Sequence, residues 1–332
     1  MKKVTILGDG AWGSAVATLV ANNGYDVTLW CYHKEIAQEI NQSSTNHRYL
    51  PDIIFPKNVS ATHDIADAIS NVHIVFVAIP VTYIRSVLST TTASSVNQTW
   101  VLLSKGIEQD TLLLPSQIIK DISTSSIEPV IVSGPSFAYE LARKQLTGLV
   151  VAHQNQEIAQ QIQKVLNCNY VTTTYSSDTI GVQLAGALKN VITIAIGMLD
   201  GAGFGDNLKS YVLTKGLQEI AAIITAVGGN QQTAYGLAGV GDVVLTALGK
   251  HSKNLIIGKK LGQGESLDQL KKEYSVFPEG INTIASINQL IKKHHVNAPL
   301  CSGLYEVVYN NGSLHNFIQQ LSHPTFNDAT TF

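Results

Sequence analysis

The sequence predicts an α/β half followed by an all-α half: a doubly wound, mostly parallel sheet over residues 1–176, then a helical domain over 177–332. Three observations carry this. Short apolar runs alternate with helical patterns up to about residue 176. Beyond it strand-like runs nearly vanish, and apolar residues recur at helical spacing. The chain, at 332 residues, is long enough for two domains.

The elements follow in order. "KKVTILG" is a β-rich run, and "DGAWGSAVATLVANNG" reads as a glycine turn plus a helix. "DVTLWCY" is a second strand. "HIVFVAIP" (73–80), "TWVLLSKG" (99–106) and "PVIVSGP" (129–135) are apolar throughout, the mark of strands covered on both faces. "TGLVVAH" and "YVTTTY" add two more strands, with a helical pattern over 156–166 between them. Helical patterns then occupy 181–201, 211–227, 281–292 and 304–309. The tail after residue 322 is short and polar, and a loose end is expected.

A hydrophobic content of 45% with 14% charged residues fits a well-packed soluble chain. A net charge of −2 supplies no basic field for nucleic acid and no polybasic membrane anchor. Cys31, Cys168 and Cys301 are far apart and odd in number, without metal or redox spacing, which favours a reducing, cytoplasmic compartment. No histidine pair has metal-ligand spacing on a helix, so no metal is expected. The N-terminal apolar run is too short for a signal peptide.

"GDGAWG" places Gly8, Gly10 and Gly13 as G-x-G-x-x-G between a strand and a helix. In that context the pattern is a dinucleotide-binding loop, and the sheet is Rossmann-type. Gly8 permits the turn, Gly10 lets backbone approach a pyrophosphate, and Gly13 packs the helix close to the sheet. Asp9 is an odd neighbour for an anion and must point away or bind something else. At the tip of the second strand, "LWCYHKE" supplies His33 and Lys34 where an NAD-only site would want an acid. The expected cofactor is NADP or NAD, with NADPH favoured.

Other strand ends also carry polar groups. "SKGIE" puts Lys105 just after a strand, and "SGPSFAYE" puts Gly134, Ser136 and Ala138 at a strand-to-helix turn. "AIPVTYIR" adds Pro80 and Tyr83. In the helical half, a flexible glycine stretch (236–241) precedes Asp242, which reads as the N-cap of an apolar helix. "SKN" (252–254) opens another helix, with Ser252 as a cap and a start suited to phosphate.

The segment "GVQLAGALKNVITIAIGMLDG" (181–201) is apolar almost all round, yet holds Lys189 and Asn190 in its middle. That interruption argues against a membrane span and for a helix buried in its domain. Lys189 either snorkels to water or faces a carboxylate or polar cavity. Burial would lower its pKa, which turns a lysine into a proton-transfer group.

Taken together, "GDGAWGSA", "SKGIE", "SGPSFAYELA", "GALKNVITIA", "GLAGVGDVVLT", "SKN" and "FPEG" resemble, in order and over nearly the whole chain, the bacterial NAD(P)-dependent glycerol-3-phosphate dehydrogenases. The resemblance implies reversible reduction of dihydroxyacetone phosphate to sn-glycerol 3-phosphate, supplying glycerophospholipid synthesis. It implies that Lys189 is the proton donor and acceptor, with Lys105, Asp242, Asn190 and Thr246 around it. Gly134, Ser136, Ser252, Lys253 and Asn254 then contact substrate together with Lys105, Lys189 and Asp242. Gly8, Gly10, Ala11, Trp12, Gly13, His33, Lys105, Ala138, Lys253, Phe277 and Glu279 contact the cofactor. A homodimer is expected from the helical second domain.

The chain departs from the family at Asp9, where alanine is usual, at Lys253, where arginine is usual, and in "TALGKH". Lysine meets phosphate as a point charge, without the arginine fork. Two other readings stay open here: a reductase of the same plan acting on another 2-keto or 2-hydroxy substrate, and a non-catalytic NADP sensor.

Overall fold

The computed structural model describes residues 2–89, 91, 98–123, 127–249, 252–274 and 277–322. Ten strands form: β1 (Lys3–Leu7), β2 (Asp26–Trp30), β3 (Thr45–Asn46), β4 (Leu50–Ile54), β5 (Val59–Thr62), β6 (Ile74–Val77), β7 (Thr99–Leu102), β8 (Val130–Ser133), β9 (Thr147–Ala152) and β10 (Val171–Ser176). Eight of them make one sheet in the order β10-β9-β8-β7-β6-β1-β2-β5, and β3 and β4 form a separate hairpin. Apolar runs fill the middle of the sheet because helices cover both faces; Ile6, Leu29, Phe76 and Val101 are wholly buried.

The seven strands expected from the sequence all form. β5 and the hairpin have no apolar run to betray them. β5 reads Val-Ser-Ala-Thr and lies at the sheet edge, where one-sided burial suffices. The sheet is less uniformly parallel than a doubly wound pattern implies: β9 pairs antiparallel with β8, and β10 runs parallel to β9. The connection from β8 to β9 contains one helix, Ala138–Ala142, of five residues. At about 1.5 Å per residue that helix is too short to carry the chain back along the strand.

The chain switches sides of the sheet between β5 and β6, so β1 lies between β2 and β6. Ligands in open α/β sheets bind at such a switch point, beyond the carboxyl ends of the strands. The glycine loop stands there. Gly8 has φ +116°, and a Cβ on it would lie 2.8 Å from the Ala78 carbonyl oxygen at the end of β6.

The helical half is organised on the Thr179–Gly201 helix, which follows β10 directly. Asp178 caps it, accepting from Gly181 N–H at 2.8 Å and from the Thr233 hydroxyl at 2.6 Å. Its most apolar stretch is long enough to cross a membrane and is 94% buried inside the protein, as a core helix is. The apolar core on one sheet face runs without a break into this half, from Val75 and Trp100 to Leu188 and Ile192.

The helix Lys253–Gly262 lies across the central helix at close range. A Cβ on Gly197, Gly201, Gly258 or Gly262 would come within 2.4 Å of a backbone oxygen on the opposing helix. Two glycine pairs, four residues apart on each helix, bring the backbones together. Gly258→Ala forces them apart and should destabilise the fold by about 1–3 kcal/mol. Thermal unfolding reads this; an unchanged melting temperature refutes the tight crossing.

Candidate active site

Three charges from distant parts of the chain meet under the switch point. Lys105 follows β7, Lys189 sits mid-way along the central helix, and Asp242 opens the helix Asp242–Leu248. Lys189 Nζ lies 2.6 Å from Asp242 Oδ1 and 2.9 Å from the Thr246 hydroxyl. Lys105 Nζ lies 2.5 Å from Asp242 Oδ2 and 3.1 Å from the Gly134 carbonyl oxygen. The Asp242 side chain is 0% exposed, against 12% for Lys189 and 16% for Lys105, so both ammonium groups keep a route to a ligand. Two ammonium groups share one carboxylate, which leaves a local positive charge ready for an anion.

The helix-cap reading of Asp242 is corrected here. Residues Leu237–Gly241 form a wide π-type turn rather than a flexible stretch, and Gly241 precedes the helix without any side-chain cap. Asp242 lies inside the first turn, and its carboxylate is spent on the two lysines. Thr246 holds the same turn by donating to the Asp242 carbonyl at 2.6 Å.

Burial lowers the Lys189 pKa to about 8, and the like charge of Lys105 lowers it as well; Asp242 pulls the other way. Close approach of the lysines depends on Gly186, which no spacing argument singled out. A Cβ there would lie 2.9 Å from Ser133 Oγ and 3.4 Å from Lys105 Cγ.

One turn along, Asn254 Nδ2 donates to Asn190 Oδ1 at 2.9 Å. Gly280 makes room for this pair, since its Cβ would lie 2.3 Å from Asn254 Oδ1. Ser252 caps its helix through Leu255 N–H at 3.3 Å, and Lys253 is exposed beside it. Gly134 adopts φ +133°, and Ser136 donates from its hydroxyl to the Gly134 carbonyl at 3.1 Å.

The cofactor-side residues gather around the loop. Gly13 is packed so tightly that a Cβ would lie 1.9 Å from the Gly8 carbonyl oxygen. A Cβ on Gly10 would meet nothing within 4 Å among the described residues, so no contact there demands a glycine. The helix starting at Ala11, with Trp12 half-buried, has no side-chain cap. Open space before uncapped N–H groups fits a pyrophosphate. Glu279 accepts from Val81 N–H at 2.6 Å at the crevice beyond β6, and burial pushes its carboxyl up to about 7. Ala138 starts its short helix, Phe277 meets Tyr274 edge-on, and the His33 ring lies 3.6 Å from Glu35. The departures at Lys250 and His251 and the tail after residue 322 lie outside the described residues.

Residues 3–159 match the model of the NAD-dependent glycerol-3-phosphate dehydrogenase N-terminus, and residues 178–319 match that of the C-terminus. The chain belongs to that family. It is an NAD(P)-dependent oxidoreductase acting on a CH–OH group. It is 40% identical over 327 residues to the glycerol-3-phosphate dehydrogenase [NAD(P)+] of Bacillus licheniformis, covering 97% of this chain and 94% of that one. The enzyme of the same name from Bacillus pumilus is 38% identical over 324 residues, with the same coverage. A crystal structure of glycerol-3-phosphate dehydrogenase from Coxiella burnetii superposes with a TM-score of 0.91 at 27% identity, covering 96% of this chain and 98% of that one.

For this dehydrogenase site the electrostatics make two opposed predictions. Asp242→Asn removes the carboxylate that raises the Lys189 pKa, so its titration midpoint should fall below about 8. Lys105→Met removes the repulsion and should raise it. The pH dependence of lysine acylation at position 189 measures both; shifts of the same sign would refute the assignment.

Proposed function

We propose that Lys189 is the proton donor and acceptor in the reversible reduction of dihydroxyacetone phosphate to sn-glycerol 3-phosphate, a product that feeds glycerophospholipid synthesis. The observation that carries this is the buried Lys105–Asp242–Lys189 triad, where burial lowers the Lys189 pKa to about 8. A bound NADH or NADPH supplies the hydride. The residues around the carbonyl then manage charge and position.

As the carbonyl oxygen gains negative charge, Lys189 donates a proton to it and reclaims one in the reverse direction. Lys105 holds the substrate by its positive charge and helps to stabilise the developing alkoxide. Asp242 is a positioning residue that fixes both ammonium groups. Asn254 occupies Asn190 Oδ1, which leaves the Asn190 N–H groups free to donate to the same oxygen. Ser252, Lys253, Asn254 and the N–H groups of their helix start would grip the substrate phosphate, so remote binding positions the carbonyl. Gly134 and Ser136 complete the substrate side.

The cofactor side would be formed by Gly8, Gly10, Ala11, Trp12, Gly13, His33, Ala138, Phe277 and Glu279. The division into a cofactor domain over 1–176 and a substrate domain over 177–332, a cytoplasmic location and a homodimer belong to the same proposal. The free, separated cysteines support the location.

The pH dependence has a definite sign. Reduction needs the ammonium form, so its kcat/KM should fall as pH rises through about 8. Oxidation needs the neutral amine, so its kcat/KM should rise over the same range. Lys189→Met should lose about 10²- to 10⁴-fold in both directions and show neither limb. Steady-state rates with dihydroxyacetone phosphate and NADH or NADPH test this. Full activity in the variant would move the proton to another group.

A further inference from the structure

Asp9 is a buried acid in the glycine loop with one carboxylate oxygen left unpaired among the described residues. β1 and β2 run in parallel register with Leu7 opposite Trp30, and Gly8 N–H donates to the Trp30 carbonyl at 3.1 Å. Two residues on, Asp9 and Tyr32 therefore stand side by side beyond the strand tips. Asp9 is 8% exposed. Its carboxylate faces the peptide N–H groups of Asp9 itself and Tyr32, with the charges of His33 and Arg48 nearby. Oδ2 has no hydrogen-bond partner among the described residues. Asn46 locks the loop in this arrangement, donating from Nδ2 to the Asp9 carbonyl at 2.7 Å and to Ser14 Oγ at 2.9 Å.

The tip of the second strand is where the ribose edge of a dinucleotide lies in this fold, and an acid there accepts from the ribose hydroxyls. No acid follows β2 before Glu35, but the glycine loop carries one to the same place. Of the basic groups near the tip of β2, His33 lies 3.6 Å from Glu35 and Arg48 lies over the Tyr49 ring at 5.3 Å, while Lys34 is exposed at the start of its helix.

We propose that Asp9 sets the cofactor preference of this enzyme, its carboxylate accepting from the adenosine 2′-hydroxyl and turning the site towards NADH. This reverses the preference that His33 and Lys34 suggest in the sequence. A 2′-phosphate would bring further negative charge against a carboxylate already short of partners, in a place where water cannot compensate. Burial raises the Asp9 pKa, as expected for an anion that lacks such compensation. The inference rests on the glycine loop holding the dinucleotide.

Direct titration of wild type, Asp9→Asn and Asp9→Ala with NADH and NADPH, without substrate, tests it by calorimetry. Wild type should bind NADH more tightly than NADPH by about tenfold or more. Both substitutions should tighten NADPH by a similar factor and weaken NADH, which loses its charged acceptor. A wild type that prefers NADPH overturns the proposal, as does an Asp9→Asn protein whose NADPH affinity stays within about twofold. Where neither variant folds, by thermal unfolding, the wild-type ratio alone decides. Failure to bind either dinucleotide would strike the reading of the loop itself, a different result from equal binding.

Discussion

One carboxylate shared by two ammonium groups is the constraint on which the rest of this structure depends. Asp242 is fully buried, and it faces Lys105 and Lys189 with one oxygen each. Removing three charges from water is costly, and only close geometry with few alternatives offsets it. The protein therefore mounts each group on something stiff: a strand end, the middle of a buried helix, and the first turn of another helix. The remaining strain of like charge is not removed. Burial first, and this repulsion second, lower the pKa of Lys189, which is what makes that lysine useful near neutral pH.

The glycines serve this mounting more than they serve flexibility. Gly186 lets Lys105 and β8 approach the central helix, and Gly280 admits the Asn190–Asn254 pair. The glycine pairs Gly197/Gly201 and Gly258/Gly262 fix the distance between the helix that bears Lys189 and the helix that begins with the Ser252–Lys253–Asn254 run. A substrate gripped at its phosphate by one helix and protonated by the other needs that distance constant. Backbone packed on backbone is the least deformable way to set it.

Much of this was legible in the sequence. Strand–helix alternation, the glycine loop and a lysine inside an apolar segment each have a direct physical reading, and the ordered motifs identify the family. Three features were hidden for specific reasons. By local pattern Asp242 looks like a helix cap, because an acid after glycines before an apolar run usually is one; only the family resemblance set it beside Lys189, since its partners lie 137 and 53 residues away. β5 carries no apolar run because it lies at an edge. The direction of Asp9 depends on the register of β1 against β2, which no local pattern encodes.

The two halves are welded rather than hinged at the crevice. Lys105 reaches Asp242, Glu279 accepts from Val81 N–H, and Ser286 donates to the Ile107 carbonyl at 3.3 Å, each contact crossing from one half to the other. The apolar core is continuous beneath them. Separating the two halves would have to break these contacts. Glu279 is the most sensitive of these welds. Its carboxyl is pushed up to about 7 by burial, so near neutral pH its ion competes with its acid form. The ionised form is the better acceptor for Val81 N–H. Acidification through about 7 therefore loosens the contact at the crevice beyond β6.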